Sequence, residues 1–354
     1  MSASPARSTR RAFLKHLSAM GAAAGAASAL SFPRVVTASN KSGKDPIIVG
    51  AGDHRYEVIH DWGQLPKTIA YGNTHGVCED SQGRIYIKHT IHSSSQEKNA
   101  MVVFDADGKY VGAWGAELGI AGGAHGLHIN KENGQEFLYL CDQARGQVFK
   151  TDLAGKVVWQ RGVPDANGLY ANPGEYHPTN VAIHSDTLFI ADGYGKSWIH
   201  IYDTSGNYKK SFAGAGSEPG KTNCPHGLMI DTRGSAPVLA VADRANNRIQ
   251  YFSIAGEHIS FVKDELKLPC HFHQRGTDLL IPDLQARVTI FNKDNKLITH
   301  LCDGEKMDLR DKARDQFLPG KFICPHSAIW DHAGNIFVVE WVEVGRVTKL
   351  KRVS

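Results

Sequence analysis

From about residue 50 to the C-terminus, the chain consists of short hydrophobic runs separated by turns rich in Gly, Asn and Asp. Four of these runs share one pattern and end in Asp, at 137–142, 188–192, 238–243 and 279–283. Short apolar runs bounded by turn residues predict β-strands. Helical periodicity is largely absent beyond the N-terminal segment, and the charged stretch 306–315 is predicted to be an exposed insertion with room for a short helix.

A histidine recurs in front of these strand-like runs at regular intervals. The intervals are 50, 52, 49, 45 and 55 residues, between His75, His125, His177, His226, His271 and His326. A period near 50 residues with several short strands in each repeat is typical of a β-propeller. The repeats therefore predict an all-β, six-bladed β-propeller over residues 54–354, preceded by a linker at 39–53.

The stretch 56–63 matches the outermost strand of a blade but has no blade of its own. We expect it to complete the sixth blade, whose C-terminal segments run over 336–340 and 346–350. Closing the ring in this way hides the sheet edges that an open array would expose.

The composition is that of a folded protein with a core, since 42% of the residues are hydrophobic and 21% are charged. The formal net charge is +4, but residues 1–38 hold five basic residues and no acid, so the rest of the chain sits at −1. This balance argues against nucleic acid or an anionic membrane as partner. A small molecule or a peptide is the expected substrate.

The N-terminal segment 1–38 resembles a twin-arginine signal peptide, with Arg10 and Arg11 followed by a stretch of small and apolar residues at 17–32. A protein exported in this way would be periplasmic or secreted. The alternative is an uncleaved anchor, although the apolar stretch is shorter than the roughly 20 residues of a spanning helix. Six cysteines permit disulfides in such a compartment but do not require them.

Three of the repeated histidines, His125, His226 and His326, belong to units two, four and six, about 120° apart around a six-fold axis. Three imidazoles converging on one axis form the ligand set that catalytic zinc favours, although iron or copper would also suit it. His75 and His271 occupy the same position in their repeats as the three histidines above, and His177 lies one residue before that position. These additional histidines could enlarge the site or contact substrate. The alternative is that each histidine is only a hydrogen-bonded turn residue.

The same residues resemble NHL-repeat propellers, and among them the peptidyl-α-hydroxyglycine α-amidating lyases. The resemblance runs from Asn73 to Leu350, and its most specific segments are Ala124–Leu127, Ala191–Tyr194, Pro225–Leu228, Ala242–Gln250 and Pro325–His326. It implies that His125, His226 and His326 bind zinc, that Tyr194 is the catalytic tyrosine, and that Arg244 is an active-site arginine for a substrate carboxylate.

The chain departs from these lyases at three points. Their first-blade arginine falls in a run that here offers Lys88, His89 or His92 instead. Their structural calcium uses an acid directly after the third histidine, where this chain has Ser327. The backbone oxygens of Val77 and Leu127 could still serve calcium, but without the carboxylate the affinity for a hard cation would fall. The extra ring histidines are also not part of the lyase pattern.

Three functions remain open from the sequence. The first is a metal-dependent lyase or hydrolase acting on a hydroxylated or carboxylated small substrate. The second is a non-catalytic propeller that binds a peptide, glycan or protein on its open face, because a fold alone does not fix a function. The third is a redox protein with a histidine-rich iron or copper centre. Phosphate-binding glycine loops, nucleophile elbows and dinucleotide fingerprints are missing from suitable strand-to-helix contexts.

Overall fold

A computed structural model of the protein describes residues 45–120, 122–166, 168–304 and 307–353. The predicted export signal at 1–38 lies outside the described residues. Within them, no helix has the length and apolar character needed to cross a membrane. The strands in chain order are β1 Ile48–Ala51, β2 His54–Ile59, β3 Tyr71–Glu79, β4 Ile85–Ile91, β5 Met101–Phe104, β6 Tyr110–Trp114, β7 Ala124–Glu132, β8 Gln135–Asp142, β9 Gln147–Thr151, β10 Val157–Arg161, β11 Asn180–His184, β12 Thr187–Ala191, β13 Trp198–Asp203, β14 Tyr208–Ala213, β15 Pro225–Asp231, β16 Val238–Asp243, β17 Arg248–Phe252, β18 His258–Val262, β19 His273–Arg275, β20 Asp278–Asp283, β21 Arg287–Phe291, β22 Leu297–Leu301, β23 Pro325–Trp330, β24 Ile336–Glu340 and β25 Arg346–Arg352.

These strands form six antiparallel sheets, which are the blades of a β-propeller, and the predicted all-β, six-bladed fold is confirmed. Blades one to five each contain four strands, namely β3–β6, β7–β10, β11–β14, β15–β18 and β19–β22. The sixth blade has the order β1-β2-β25-β24-β23. The innermost strands are β3, β7, β11, β15, β19 and β23. The helical residues described are four 3-10 turns, at Pro173–Glu175, Arg244–Asn246, Met307–Leu309 and Arg314–Gln316.

Strand β2 closes the ring as the sequence predicts, pairing Tyr56 with Arg352 and Ile59 with Lys349. One boundary differs from the prediction, because Ile48–Ala51 is strand β1 and not part of a linker. The chain reverses at Gly52, so that β1 pairs back onto β2 and Val49 is buried in the core of the last blade. The hairpin therefore adds a fifth strand that the blade repeat does not contain.

The core consists of apolar layers between neighbouring blades. Between blades five and six, for example, strand residues from both sheets interdigitate, including Leu280, Val288, Ile290, Ala328, Ile336 and Val338. Apolar burial of this kind is the main favourable contribution to folding. Because each layer joins two blades, it also fixes the angle at which each innermost strand approaches the central axis.

A buried acid ends the second strand of blades two and four to six, and directly follows it in blade three. Four of these acids accept a hydrogen bond from the backbone N–H of the segment that leads into the innermost strand. The pairs are Asp192 with His177 at 2.7 Å, Asp243 with Asn223 at 2.6 Å, Asp283 with Leu268 at 2.9 Å, and Glu340 with Ile323 at 2.7 Å. Arg248 pairs with Asp243, and Arg346 pairs with Glu340, so that both of these buried charges are neutralised. We call the hydrogen bond between the buried acid and the backbone N–H of the segment entering the innermost strand the acid latch.

We expect the latch of the sixth blade to matter strongly for stability. Glu340→Gln should lower the free energy of unfolding by about 3 kcal/mol, because it leaves the Arg346 guanidinium buried without a charged partner. Urea unfolding followed by circular dichroism measures this. Asp107→Asn, in the exposed turn before β6, is the control and should change stability by less than about 0.5 kcal/mol. Equal small effects of both substitutions would contradict a structural role for the latch.

Candidate functional site

His125, His226 and His326 occupy the second position of strands β7, β15 and β23 and meet at the propeller axis. Their ring centroids lie 4.7 Å, 4.8 Å and 4.7 Å apart, so the three imidazoles form a nearly equilateral triangle. All three side chains are buried. The structure thus brings together the three histidines that the repeat spacing placed in alternate blades.

A backbone irregularity at the start of each strand aims these side chains. The pairing register shifts directly around each histidine, between residues 124 and 127, 225 and 228, and 325 and 327. Such bulges re-aim side chains at functional sites. Glycine follows the histidine in two of the three strands because the next blade approaches closely: a Cβ on Gly126 would lie 2.3 Å from the carbonyl oxygen of Thr179, and one on Gly227 would lie 2.4 Å from that of Cys270.

Each histidine of the triangle is oriented by a carbonyl of the following blade. Nδ1 lies 2.7 Å from the oxygen of Thr179 in His125, 2.8 Å from that of Cys270 in His226, and 2.7 Å from that of His75 in His326. A carbonyl oxygen can only accept a hydrogen bond, so Nδ1 carries the proton in all three rings. Nε2 therefore keeps its lone pair. This is the outer-shell arrangement that orients histidine ligands of metals.

His75 of blade one is a fourth imidazole at the same point. Its Nδ1 lies 3.3 Å from Nε2 of His326, and its ring centroid lies 5.1 Å from that of His125. Among the described residues, the group of potential ligand atoms within 4.8 Å of one another consists of His75, His125 and His326. The predicted trio shares His125 and His326 with this group but has His226 in place of His75, and its ligand atoms are not the ones that meet this distance.

The imidazoles at the axis are neutral. Burial lowers the pKa of His125 and His226 well below the usual range and that of His326 to about 3, and Arg244 acts in the same direction on all three. Burial likewise lowers the pKa of His75, with further lowering from His326 and His125. Neutral imidazole is the form that binds metal. Donor type, tautomer and ionisation of these residues all fit zinc.

Tyr194 and Arg244 complete one side of the triangle. The Tyr194 hydroxyl lies 3.2 Å from Nε2 of His125 and 3.1 Å from Nε2 of His226. Arg244 Nη1 donates to the same hydroxyl at 3.2 Å, and its Nη2 donates to Cys224 Sγ at 3.1 Å. Burial raises the pKa of Tyr194 to about 12, and the Arg244 charge opposes this rise. The predicted tyrosine and arginine are thus in contact with each other, and the tyrosine also contacts two of the histidines.

The first-blade candidates lie away from this triangle. Lys88 is fully buried and donates to the carbonyl oxygens of Gly126 at 3.0 Å and Cys141 at 2.6 Å, which ties blade one to blade two. His89 packs on Tyr71 with Nδ1 2.6 Å from the oxygen of Thr90, and its Nε2 is buried without a partner. His92 lies at the surface, beside Ser94.

The remaining predicted histidines are also separate. His177 uses both ring nitrogens on backbone oxygens, those of Gln143 at 2.6 Å and Gly174 at 2.9 Å. His271 lies further along the channel, with Nδ1 3.3 Å from the Ser327 hydroxyl. It lines a cavity of about 560 Å³ together with Val77 and Leu127, the two residues considered for calcium. Ser327 contributes a hydroxyl and not a carboxylate at this place, which lowers the expected affinity for calcium, and the calcium site stays a prediction.

The sequence did not reveal several partners of the site. The oxygens of Thr179 and Cys270 are backbone atoms, whose alignment with the histidines depends on the packing of blades. His128 and His273 line the same cavity as His271, and the fact that they lie on innermost strands was the only signal for them. All six cysteines are free thiols, and Cys224 contacts Arg244.

No family model matches the chain. It is 26% identical over 206 residues to human NHL repeat-containing protein 3, covering 56% of each chain. It is 27% identical over 206 residues to a probable peptidyl-alpha-hydroxyglycine alpha-amidating lyase of Caenorhabditis elegans, covering 54% of this chain and 56% of the relative. The chain thus spans little more than half the length of the curated relatives that it matches.

Among solved structures, a catalytically inactive virginiamycin B lyase from Staphylococcus aureus matches with a TM-score of 0.53 at 13% identity, over 84% of this chain and 100% of the other. A streptogramin B lyase matches with a TM-score of 0.54 at 11% identity, over 83% of this chain and 97% of the other. At such identities the likeness concerns the fold alone. The predicted resemblance to NHL-repeat proteins is confirmed, and the chain is a six-bladed β-propeller with NHL-repeat homologues.

Proposed function

We propose that this protein is a metal-dependent lyase that cleaves the C–N bond of an N-acylated α-hydroxyglycine or a closely related hydroxylated carboxylate. The observation that carries the proposal is the position of the Tyr194 hydroxyl, within 3.2 Å of Nε2 of both His125 and His226 and of Arg244 Nη1. A proton-transfer group, candidate metal ligands and an anion-binding group thus meet at one point. The distant similarity to an amidating lyase supports the same reaction class.

In this proposal His125, His226 and His326 hold zinc, and His75 lies beside them as a further imidazole. When bound, the metal polarises the carbinol hydroxyl of the substrate. The Arg244 guanidinium binds the carboxylate, for which its planar fork is suited. Tyr194 accepts the hydroxyl proton in its ionised form; burial opposes this ionisation, and the positive charge of Arg244 favours it.

The bond changes balance without a further reactant. As the hydroxyl proton moves to Tyr194, a carbonyl forms at the α-carbon and the C–N electron pair moves to nitrogen. Nitrogen then takes the proton from Tyr194. The products are a primary amide and glyoxylate.

We further propose that the protein acts in the periplasm or outside the cell after export by the twin-arginine pathway, which the segment around Arg10 and Arg11 supports.

The proposed ligand set makes a prediction about metal content. Protein purified without added metal should contain about one zinc per chain, and His226→Ala should lose most of it, because a catalytic zinc site is held by three protein ligands. His75→Ala should keep the metal. His184→Ala, at the far end of β11, is the control for loss of a histidine as such. Elemental analysis measures the zinc content of the wild-type protein and of the three variants. Loss of metal in His75→Ala with retention in His226→Ala would assign the ligands to His75, His125 and His326 instead.

A second prediction concerns proton transfer. Tyr194→Phe should reduce kcat for an N-acyl-α-hydroxyglycine by about 10²- to 10⁴-fold, the usual contribution of a positioned acid or base. Its zinc content and thermal midpoint should stay unchanged, since the hydroxyl is not a ligand in this proposal. Glyoxylate release measures turnover. Tyr208→Phe, at the start of β14 in the third blade, is the matched control and should retain most of the activity, because among the described residues its hydroxyl contacts Ser211 and no residue of the site. Normal turnover in Tyr194→Phe would exclude the catalytic role.

A further inference from the structure

The connection between β22 and β23, residues 302–324, carries an arginine to the rim of the histidine site. The backbone oxygen of Arg310 accepts a hydrogen bond from Glu343 N–H at 3.0 Å, which fixes this connection to the loop after β24. The Arg310 guanidinium lies on Trp341, with Cζ 3.7 Å from the ring centroid. Its Nη2 is 3.5 Å from the side-chain oxygen of Asn73, two residues before His75.

Trp341 occupies in blade six the position that Arg244 occupies in blade four. Each residue directly follows the acid of the latch, and each donates its N–H to a cysteine oxygen in a Cys-Pro-His segment. Arg244 donates to Cys224 at 3.3 Å, and Trp341 donates to Cys324 at 2.8 Å. The pseudo-symmetry of the propeller therefore places Trp341 on the same rim as Arg244, two blades further around the ring. Arg310 lies on this tryptophan.

A buried apolar cluster connects the surroundings of the two arginines. Cys270, Leu284, Cys324 and Val342 belong to it, and Trp341 packs against it. Arg244 lies near one side of this cluster: burial raises the pKa of the Cys270 thiol to about 12, and the Arg244 charge opposes the rise. Arg310 lies at the other side, on the ring of Trp341. Because the cluster residues are buried, a ligand that reaches both arginines would pass over the rim and not through the cluster.

The hydrogen bonding of Arg310 is incomplete. Its Nε is buried and has no partner among the described residues. The carboxylate paired with its Nη1 belongs to Asp311, whose side chain is 66% exposed and which is the next residue in the chain. An arginine in such surroundings can exchange an exposed surface carboxylate for that of a ligand. Buried guanidinium donors without a partner are costly, so a ligand that supplies an acceptor gains affinity.

We infer that Arg310 is a second anion-binding residue of the site and that the preferred substrate carries an acidic group on its acyl part. This inference rests on the proposed function, in which Arg244 binds the glycine carboxylate. The acyl chain would then run along the rim from blade four towards blade six and end at Arg310. Arg310 is a specificity-determining residue in this view and takes no part in bond cleavage.

The test compares two unreactive analogues that differ in one carboxylate, N-glutarylglycine and N-valerylglycine. The zinc-loaded full chain should bind N-glutarylglycine about tenfold more tightly in calorimetry, because a charge-assisted hydrogen bond to Arg310 is added. Arg310→Gln should remove this difference while leaving the affinity for N-valerylglycine, the zinc content and the thermal midpoint unchanged. Arg310→Lys should retain part of the difference. Arg314→Gln removes a cation from the same connection, where it binds Asp61 and the Val344 oxygen, and should preserve the difference in full.

Equal affinities of the wild-type protein for the two analogues, or no binding of either, would overturn the assignment of Arg310. A difference that persists in Arg310→Gln would do the same and would place the second contact elsewhere. The proposed function fails separately if the Arg310-dependent difference is present but the protein cleaves neither N-glutaryl-α-hydroxyglycine nor N-valeryl-α-hydroxyglycine.

Discussion

The acid latch is the interaction on which both the propeller and its central site depend. A carboxylate at the end of the second strand accepts the backbone N–H groups of the segment entering the innermost strand, at distances of 2.6 to 2.9 Å in blades three to six. Charge-assisted hydrogen bonds of this kind are stronger than neutral ones, and the buried arginines in blades four and six compensate the buried charge. The latch therefore fixes where each of these innermost strands begins. Among the described residues, blade one has no such acid: His89 occupies the corresponding position and pairs in register with Thr74. Here the Thr74 hydroxyl donates to the backbone oxygens of Glu340 at 2.8 Å and Arg346 at 3.1 Å.

The site follows from this geometry and from the alternation of the blades. Blades two, four and six supply the histidines of the triangle, and blades three, five and one supply the carbonyl oxygens that orient them. Each histidine thus needs its successor in the ring, and His326 needs the first blade, 251 residues earlier in the sequence. Closure by β2 is therefore a condition for the site and not only for stability. An open array of the same repeats would leave the ring of His326 without its partner.

The sequence predicted those features that repeat. The histidine period gave six blades and the positions of His125, His226 and His326, and the unpaired stretch 56–63 gave the closing strand, because a short apolar run without a blade must pair somewhere. Features outside the repeat were not predictable. The hairpin strand β1 depends on a reversal at Gly52, and the proximity of His75 to His326 depends on how blade one meets blade six. Tyr194 and Arg244 were found through a family resemblance, since nothing in their spacing indicates that their side chains meet. Arg310 lies in a connection without any counterpart in the other blades.

The contrast between half-buried Arg244 and the buried arginines Arg248 and Arg346 shows why an anionic ligand suits this site. Arg248 and Arg346 are each paired with a fully buried carboxylate, and these pairs belong to the latch. Arg244 follows the latch acid of its own blade directly, yet no carboxylate among the described residues pairs with it, and its donors reach the Tyr194 hydroxyl and the Cys224 thiol. The imidazoles around it are neutral, so they offer no compensating negative charge. A partly buried cation without a counter-ion gains from a ligand that supplies the negative charge. In the proposed function, a substrate carboxylate on Arg244 supplies that charge.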